Sequence, residues 1–90
     1  MERRHIIVSG KVQGVCFRLY TEQEANRLGL KGYVRNCADR TVEIVAEGEP
    51  EALLSLEKWA HQGSPSARVS QVKVNNLPAT GKFSRFSMRY

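Results

Sequence analysis

The sequence has 90 residues, of which 41% are hydrophobic and 26% are charged, and its formal net charge is +5 at pH 7. This length predicts one domain over residues 1–90, and the composition is typical of globular proteins rather than of disordered ones. No apolar stretch approaches the ~18 residues that span a bilayer or forms a signal peptide, so we expect a cytoplasmic protein.

A strand followed by a helix opens the predicted fold. Alternating residues at the start indicate a strand with one buried face: Ile6, Val8, Gly10 and Val12. A second set recurs at helical spacing and predicts a helix that ends near Gly29: Phe17, Thr21, Ala25 and Leu28. A capping box of Thr21 and Glu24 would start this helix later. We place the start at Phe17, because Phe17 already belongs to the apolar stripe.

A hairpin follows the first helix. Residues 31–36 and 41–48 predict the second and third strands, which the turn CADR joins. Ile44 marks the core-facing phase of the third strand. Glu43 and Glu47 occupy the opposite phase, so we expect both carboxylates to be solvated.

A second helix and two strands complete the chain. Pro50 opens the helix and Gly63 ends it, with these residues facing the core: Ala52, Leu53, Leu56, Trp59 and Ala60. Residues 67–74 predict a fourth strand, and a change of phase between Val69 and Val72 indicates a bulge. The terminal strand alternates at Phe86, Met88 and Tyr90.

The element order is β-α-β-β-α-β with a terminal strand added. Right-handed crossovers make the first two strands parallel, with the third between them and antiparallel to both. This order predicts the ferredoxin-like α+β sandwich, an antiparallel sheet with two helices on one face. The loop after the first strand, the start of the first helix and the end of the second strand then meet at one edge. We expect the functional site there.

The segment GKVQGVCFR, residues 10–18, joins strand to helix at that edge and contains no acidic residue. Backbone amides of a tight loop at a helix N-terminus form a concavity that prefers anions. Gly14 allows such a loop to bend or a ligand to approach. Arg18 adds a permanently charged fork that matches two phosphate oxygens. The segment therefore predicts a phosphate or carboxylate site, and the alternative is a tight turn with a solvent-exposed arginine.

Asn36 lies at the end of the second strand, in the core-facing phase of Gly32 and Val34. Its amide can accept a hydrogen bond from water while donating to a neighbour. The alternative is a turn asparagine that bonds to its own backbone. No Ser-His pair, carboxylate dyad or metal-ligand spacing is recognisable, since His5 starts the first strand at its far end and His61 is expected on the surface. A reaction here therefore needs a substrate whose leaving group is already good.

Both segments resemble the signatures of the acylphosphatase family. GKVQGVCFR resembles the signature G-x-V-Q-G-V-x-F-R, and GYVRNCADRTVEIVAEG, residues 32–48, resembles the second. The resemblance implies hydrolysis of carboxyl-phosphate mixed anhydrides without a metal or cofactor. It implies that Arg18 binds the phosphoryl group and that Asn36 orients the attacking water. It also implies that backbone amides of the loop bind phosphate: Gln13, Gly14, Val15, Cys16 and Phe17.

Two positions depart from the family pattern. Arg40 stands where the second signature usually has glycine. If that position requires a positive φ, arginine costs roughly 1 kcal/mol there, and either the strain or a different turn would shift Asn36. Cys37 follows Asn36 where some relatives have a hydroxyl residue, so no hydroxyl role is carried over. Cys16 and Cys37 lie in no CxxC spacing, and we expect two reduced thiols.

Three other functions are compatible with parts of the sequence. An RNA-binding module of this topology needs stacking aromatics on its central strands, and HIIVSGKV carries none while TVEIVAEG offers outward glutamates. A non-catalytic anion- or phosphate-binding relative is supported only by Arg40. The related domain of larger carbamoyl-transfer proteins is disfavoured because the sequence stops at Tyr90. We expect a monomeric acylphosphatase with a small-molecule acyl phosphate substrate and no nucleic-acid, membrane, metal or cofactor partner.

Overall fold

The computed structural model describes residues 1–90. Its helices and strands follow one another in the predicted order: β1 (Glu2–Lys11), α1 (Phe17–Arg27), β2 (Lys31–Asn36), β3 (Val42–Gly48), α2 (Pro50–Ala60), β4 (Arg68–Pro78) and β5 (Phe86–Arg89). The five strands form one sheet in the order β4-β1-β3-β2-β5. β3 lies between β1 and β2 and is antiparallel to both, which confirms the ferredoxin-like topology. Neither helix has the length and apolar character needed to cross a membrane.

The edges of the sheet add two details. β5 pairs with β2 in parallel, so the sheet is mixed, while the strands of the βαββαβ unit pair antiparallel as predicted. β4 continues to Pro78, because β1 offers it ladder partners as far as Glu2. The predicted bulge is confirmed: Ser9 pairs with Gln71 and Gly10 with Val69, which leaves Ser70 as the extra residue.

Phe17 fixes the start of α1 because it is a core residue. Its side chain is 1% exposed, and its ring centroid lies 5.5 Å from that of Trp59 on α2. Burying a side chain of this size stabilises the fold by about 1.5–3 kcal/mol. The Thr21 hydroxyl donates to the Phe17 carbonyl at 2.8 Å instead of capping a later helix start. The helix therefore begins at Phe17, as predicted, and the core anchors the end of the preceding loop.

The expectation that Glu47 is solvated is wrong. Glu47 is 1% exposed, and its carboxylate accepts hydrogen bonds from Thr80 N at 2.8 Å, Thr80 Oγ1 at 2.9 Å and Gly81 N at 3.0 Å. Burial raises the pKa of Glu47, but these hydrogen bonds outweigh the burial and hold the pKa below its usual range. The connection between β4 and β5 thus covers Glu47 on the outer face of the sheet, the face opposite the helices. The periodicity of β3 alone cannot predict this contact.

Glu43 is also less solvated than its phase predicts. Its side chain is 14% exposed, and its carboxylate lies 2.6 Å from Arg35 Nε and 2.7 Å from His5 Nε2. Burial raises the pKa of Glu43, but the hydrogen bonds from His5 and Arg35 together lower it below the usual range. These three side chains link the outer faces of β1, β3 and β2.

Candidate active site

Two residues in the left-handed region shape the loop between β1 and α1. Gly14 has φ 74°, and Cys16 has φ 61° and ψ 25°. A Cβ at Gly14 would meet no atom within 4 Å, so the backbone conformation rather than lack of space favours glycine there. Cys16 is the N-cap of α1 but makes no side-chain capping bond. The N–H groups of the first helical turn therefore have no side-chain acceptor, which suits anion binding.

Arg18 lies in the first turn of α1, where a cation opposes the helix dipole and no acidic residue compensates it. Its Nη1 donates to the Arg89 carbonyl at 2.8 Å, and its Cζ lies 4.8 Å from the centroid of the Tyr90 ring. No carboxylate forms an ion pair with Arg18. The guanidinium thus contacts the end of the chain, and its charge stays available to an anion.

Asn36 ends β2 and pairs with Val42 in the ladder. Its Oδ1 is buried and accepts no hydrogen bond from the protein. Asn36 Oδ1 therefore does not form the hydrogen bond to its own backbone that is typical of a turn asparagine. A buried acceptor without a partner costs about 1–3 kcal/mol. Such a cost is expected where the acceptor is used by a ligand or water.

A cavity of about 330 Å³ brings the predicted residues together. Its walls are formed by the loop, the start of α1, the end of β2 and β5: Val12, Gly14, Cys16, Phe17, Arg18, Leu19, Asn36 and Met88. Arg18 and Asn36 are 18 positions apart in the sequence. They nevertheless line one cavity, together with Gly14, Cys16 and Phe17.

Gln13 and Val15 do not line this cavity, and their local contacts support the loop from outside. The Gln13 Nε2 donates to the carbonyls of Cys37 and Thr41, both at 2.9 Å, and so ties the loop to the β2–β3 turn. The Val15 carbonyl accepts a 2.7 Å hydrogen bond from the buried Ser64. The sequence pattern predicts only a backbone role for Gln13 and gives no sign of Ser64, because hydrogen-bond partners so distant along the chain leave no local signal.

Arg40 adopts the positive φ that the departure from glycine raised as a question. Its φ is 73°, and the turn closes with hydrogen bonds from Arg40 N to Cys37 O at 3.1 Å and from Cys37 N to Thr41 O at 2.9 Å. Asn36 keeps its ladder partner directly before this turn. The turn therefore carries the left-handed strain of about 1–2 kcal/mol, and Asn36 stays in register with β3. Cys37 and Cys16 are both free thiols.

Comparison with known proteins agrees with this geometry. The acylphosphatase family model matches residues 4–88. The chain belongs to the acylphosphatase family. It is 54% identical over 86 residues to the acylphosphatase of Marinobacter nauticus, a match that covers 96% of this chain and 94% of that relative.

Solved acylphosphatase structures have the same fold. The crystal structure of acylphosphatase from Bacillus subtilis matches with a TM-score of 0.96 and 40% identity, and the match covers 100% of both chains. The structure of an acylphosphatase from Coxiella burnetii matches with a TM-score of 0.92 and 39% identity over 98% of this chain and 92% of that one. The protein is accordingly a hydrolase that acts on acyl phosphates, and no finding favours a non-catalytic relative.

Proposed function

We propose that residues 1–90 form a single acylphosphatase domain in which the loop and Arg18 bind the phosphoryl group and Asn36 positions the attacking water. The observation that carries this proposal is the buried, unpartnered Oδ1 of Asn36 in the same cavity as the unpaired charge of Arg18. One group is suited to hold a water and the other to hold an anion. Their shared cavity is what a hydrolysis needs.

The phosphoryl group is bound by the backbone amides of residues 13–17 together with the Arg18 guanidinium. Left-handed residues at Gly14 and Cys16 bend the loop so that neighbouring amides can converge on one anion. Arg18 then supplies a planar fork for phosphate oxygens. Its Nη1 donates to the Arg89 carbonyl and its guanidinium packs over the Tyr90 ring, which favours one orientation of the fork before substrate arrives. Preorganised donors of this kind stabilise charge that develops in the transition state.

The attacking water donates a hydrogen bond to Asn36 Oδ1, which aims the water oxygen at phosphorus. As the new P–O bond forms, the bond between phosphorus and the acyl oxygen breaks, and the electron pair leaves with the carboxylate. A carboxylate is a stable anion with a conjugate-acid pKa of about 4, so it needs no proton to depart. An amide is not a base, and the water proton passes to a phosphoryl oxygen of the substrate. Positioning and charge stabilisation then carry the catalysis, without a metal or cofactor.

The proposal includes a cytoplasmic monomer. Arg18, Asn36 and the loop all come from one chain, so the site needs no second copy. The two free thiols suit a reducing compartment.

The test is hydrolysis of benzoyl phosphate in EDTA by the parent, Arg18→Ala and Asn36→Ala, with inorganic phosphate as a competitive inhibitor. Arg18→Ala loses both phosphate inhibition and turnover, because the phosphoryl group loses its main cation. Asn36→Ala keeps phosphate inhibition while kcat falls by about 10²–10³. Arg27→Ala is the matched control, since it removes a cation of the same helix that pairs with Glu24 on the surface. Parent-like kcat in Asn36→Ala, or phosphate inhibition that survives in Arg18→Ala, contradicts the assigned roles.

A further inference from the structure

Ser64 places a buried hydroxyl against the loop between β1 and α1. The residue is 2% exposed, and its Oγ donates a hydrogen bond of 2.7 Å to the carbonyl of Val15, 49 residues earlier in the chain. Ser64 does not line the active-site cavity, so its hydroxyl is not placed to bind a substrate there. A serine hydroxyl has one proton to donate, and here it goes to a carbonyl of the loop.

The turn that carries Ser64 is fixed against the end of the same loop. Gly63 N donates to Trp59 O at 2.8 Å, which closes the end of α2. Ala67 N donates to Ser64 O at 3.0 Å, which closes the turn that follows. A Cβ at Gly63 would lie 2.4 Å from Cε2 of Phe17, so this turn packs directly on the residue that begins α1. Backbone hydrogen bonds and packing thus hold the Ser64 hydroxyl in place before any ligand binds.

The carbonyl of Val15 and the N–H of Cys16 belong to one planar peptide group. The chain has no cis peptide bond, and in a trans peptide the C=O and the N–H point in opposite directions. The hydrogen bond from Ser64 therefore turns the Cys16 N–H away from Ser64. Cys16 lines the active-site cavity and Val15 does not. The Cys16 N–H donates to no acceptor in the protein, so it is free to donate to a ligand in that cavity.

We propose that Ser64 is a positioning residue of the active site, whose hydroxyl aims the Cys16 N–H at an oxygen of the phosphoryl group. This inference rests on the proposed function, because it names the side chain that orients one of the phosphate-binding amides. A hydrogen bond to the carbonyl also polarises the peptide group and makes its N–H a stronger donor. The oriented N–H then stabilises the charge that the phosphoryl oxygens carry in the transition state.

The experiment measures hydrolysis of benzoyl phosphate, and its inhibition by inorganic phosphate, in the parent and in Ser64→Ala. Without the hydroxyl the peptide group between Val15 and Cys16 is free to rotate, while Arg18 keeps its charge. Removal of one such donor costs about 10²–10³ in kcat, and a misaimed donor costs less, so kcat falls about tenfold. The inhibition constant of phosphate rises only about threefold, because Arg18 still binds the anion. In amide NMR spectra, phosphate moves the Cys16 proton downfield in the parent, and Ser64→Ala loses about half of this shift or more.

Two controls separate positioning from a general loss of stability. Ser66→Ala removes an exposed hydroxyl from the same turn, and Leu53→Val loosens the core near the start of α2. Both keep the kcat of the parent and the phosphate-induced shift of Cys16.

Three results overturn the positioning role alone. The first is a parent-like kcat in Ser64→Ala, and the second is a lowered kcat with the full Cys16 shift. The third is a parent that hydrolyses benzoyl phosphate although phosphate leaves its Cys16 proton unmoved, which decides the matter even if Ser64→Ala does not fold. A parent that neither hydrolyses benzoyl phosphate nor binds phosphate overturns the proposed function together with this inference.

Discussion

Replacing Arg40 by glycine should stabilise the protein, because arginine occupies a backbone conformation made for glycine. Its φ is 73°, its side chain is exposed, and its own hydrogen bond in the turn comes from the backbone N–H, which glycine retains. Relief of the left-handed conformation contributes about 1–2 kcal/mol. Glycine also raises the conformational entropy of the unfolded chain, which reduces this gain in stability by about 0.4–1 kcal/mol. We therefore expect the free energy of unfolding to rise by about 0.5–1 kcal/mol, or roughly 2–8 °C in Tm for a domain of this size.

Urea denaturation measures this difference, with an unchanged m-value as the sign that only stability has changed. Arg40→Gln removes the charge and keeps the strain, and Arg40→Lys keeps both, so neither should approach the glycine variant. Gly14→Ala is the converse case, since φ there is 74° and a Cβ would meet nothing within 4 Å. It should lose about 0.5–1 kcal/mol for the same reason. An Arg40→Gly protein no more stable than Arg40→Lys would refute the strain argument.

Three further changes test contacts elsewhere in the fold. Glu47→Gln should lower the free energy of unfolding by about 1–3 kcal/mol at pH 7, because a neutral amide replaces a carboxylate that accepts three hydrogen bonds. Since the folded pKa of Glu47 is lowered, its contribution is complete above pH 4.5 and is lost as the pH falls below that value. Urea melts at neutral and acidic pH should show a flatter profile in Glu47→Gln, and identical profiles would contradict this. Gln13→Ala should lower the free energy of unfolding by about 1–2 kcal/mol and should lower kcat/KM for benzoyl phosphate, because it removes two hydrogen bonds between the loop and the turn. The surface control Gln62→Ala should change neither quantity. If Gln13→Ala changed neither, the loop would not depend on these hydrogen bonds. Gly32→Ala should lower the free energy of unfolding by about 3 kcal/mol or more, since φ is 141° and the new Cβ would lie 1.9 Å from Val45 O. Thermal unfolding checks this, with Gly29→Ala as the control because a Cβ there would meet no atom within 4 Å.

The order of elements could be predicted because each carries a local period. Apolar residues recur at every second position in the strand around Ile44 and at helical spacing around Leu53. That spacing follows from the backbone geometry of a single segment. Phe17 fixed the start of α1 in the same way, because one buried ring continues the apolar stripe. The edge at which Arg18 and Asn36 meet followed from the handedness of the crossovers alone.

The contacts that depend on distant segments could not be predicted. Glu47 alternates like a solvent-facing residue, and only the irregular connection that brings Thr80 across the sheet makes it a buried hydrogen-bond acceptor. The side chain of Gln13 finds its partners 24 and 28 residues away, across a turn whose shape no local pattern specifies. The unpartnered Oδ1 of Asn36 is likewise a property of the assembled cavity, whereas the phase of β2 shows only the direction of its side chain.

An oxygen-18 labelling experiment tests most directly the central claim that water attacks phosphorus. It shows which product receives the oxygen atom of water. Excess protein hydrolyses benzoyl phosphate in water enriched in oxygen-18, and mass spectrometry locates the label in the products. If the water held by Asn36 attacks phosphorus bound by the loop and Arg18, the label appears in inorganic phosphate and is absent from benzoate. Label in benzoate would mean attack at the carbonyl carbon, and it would contradict the assignment of the cavity as a phosphoryl-transfer site.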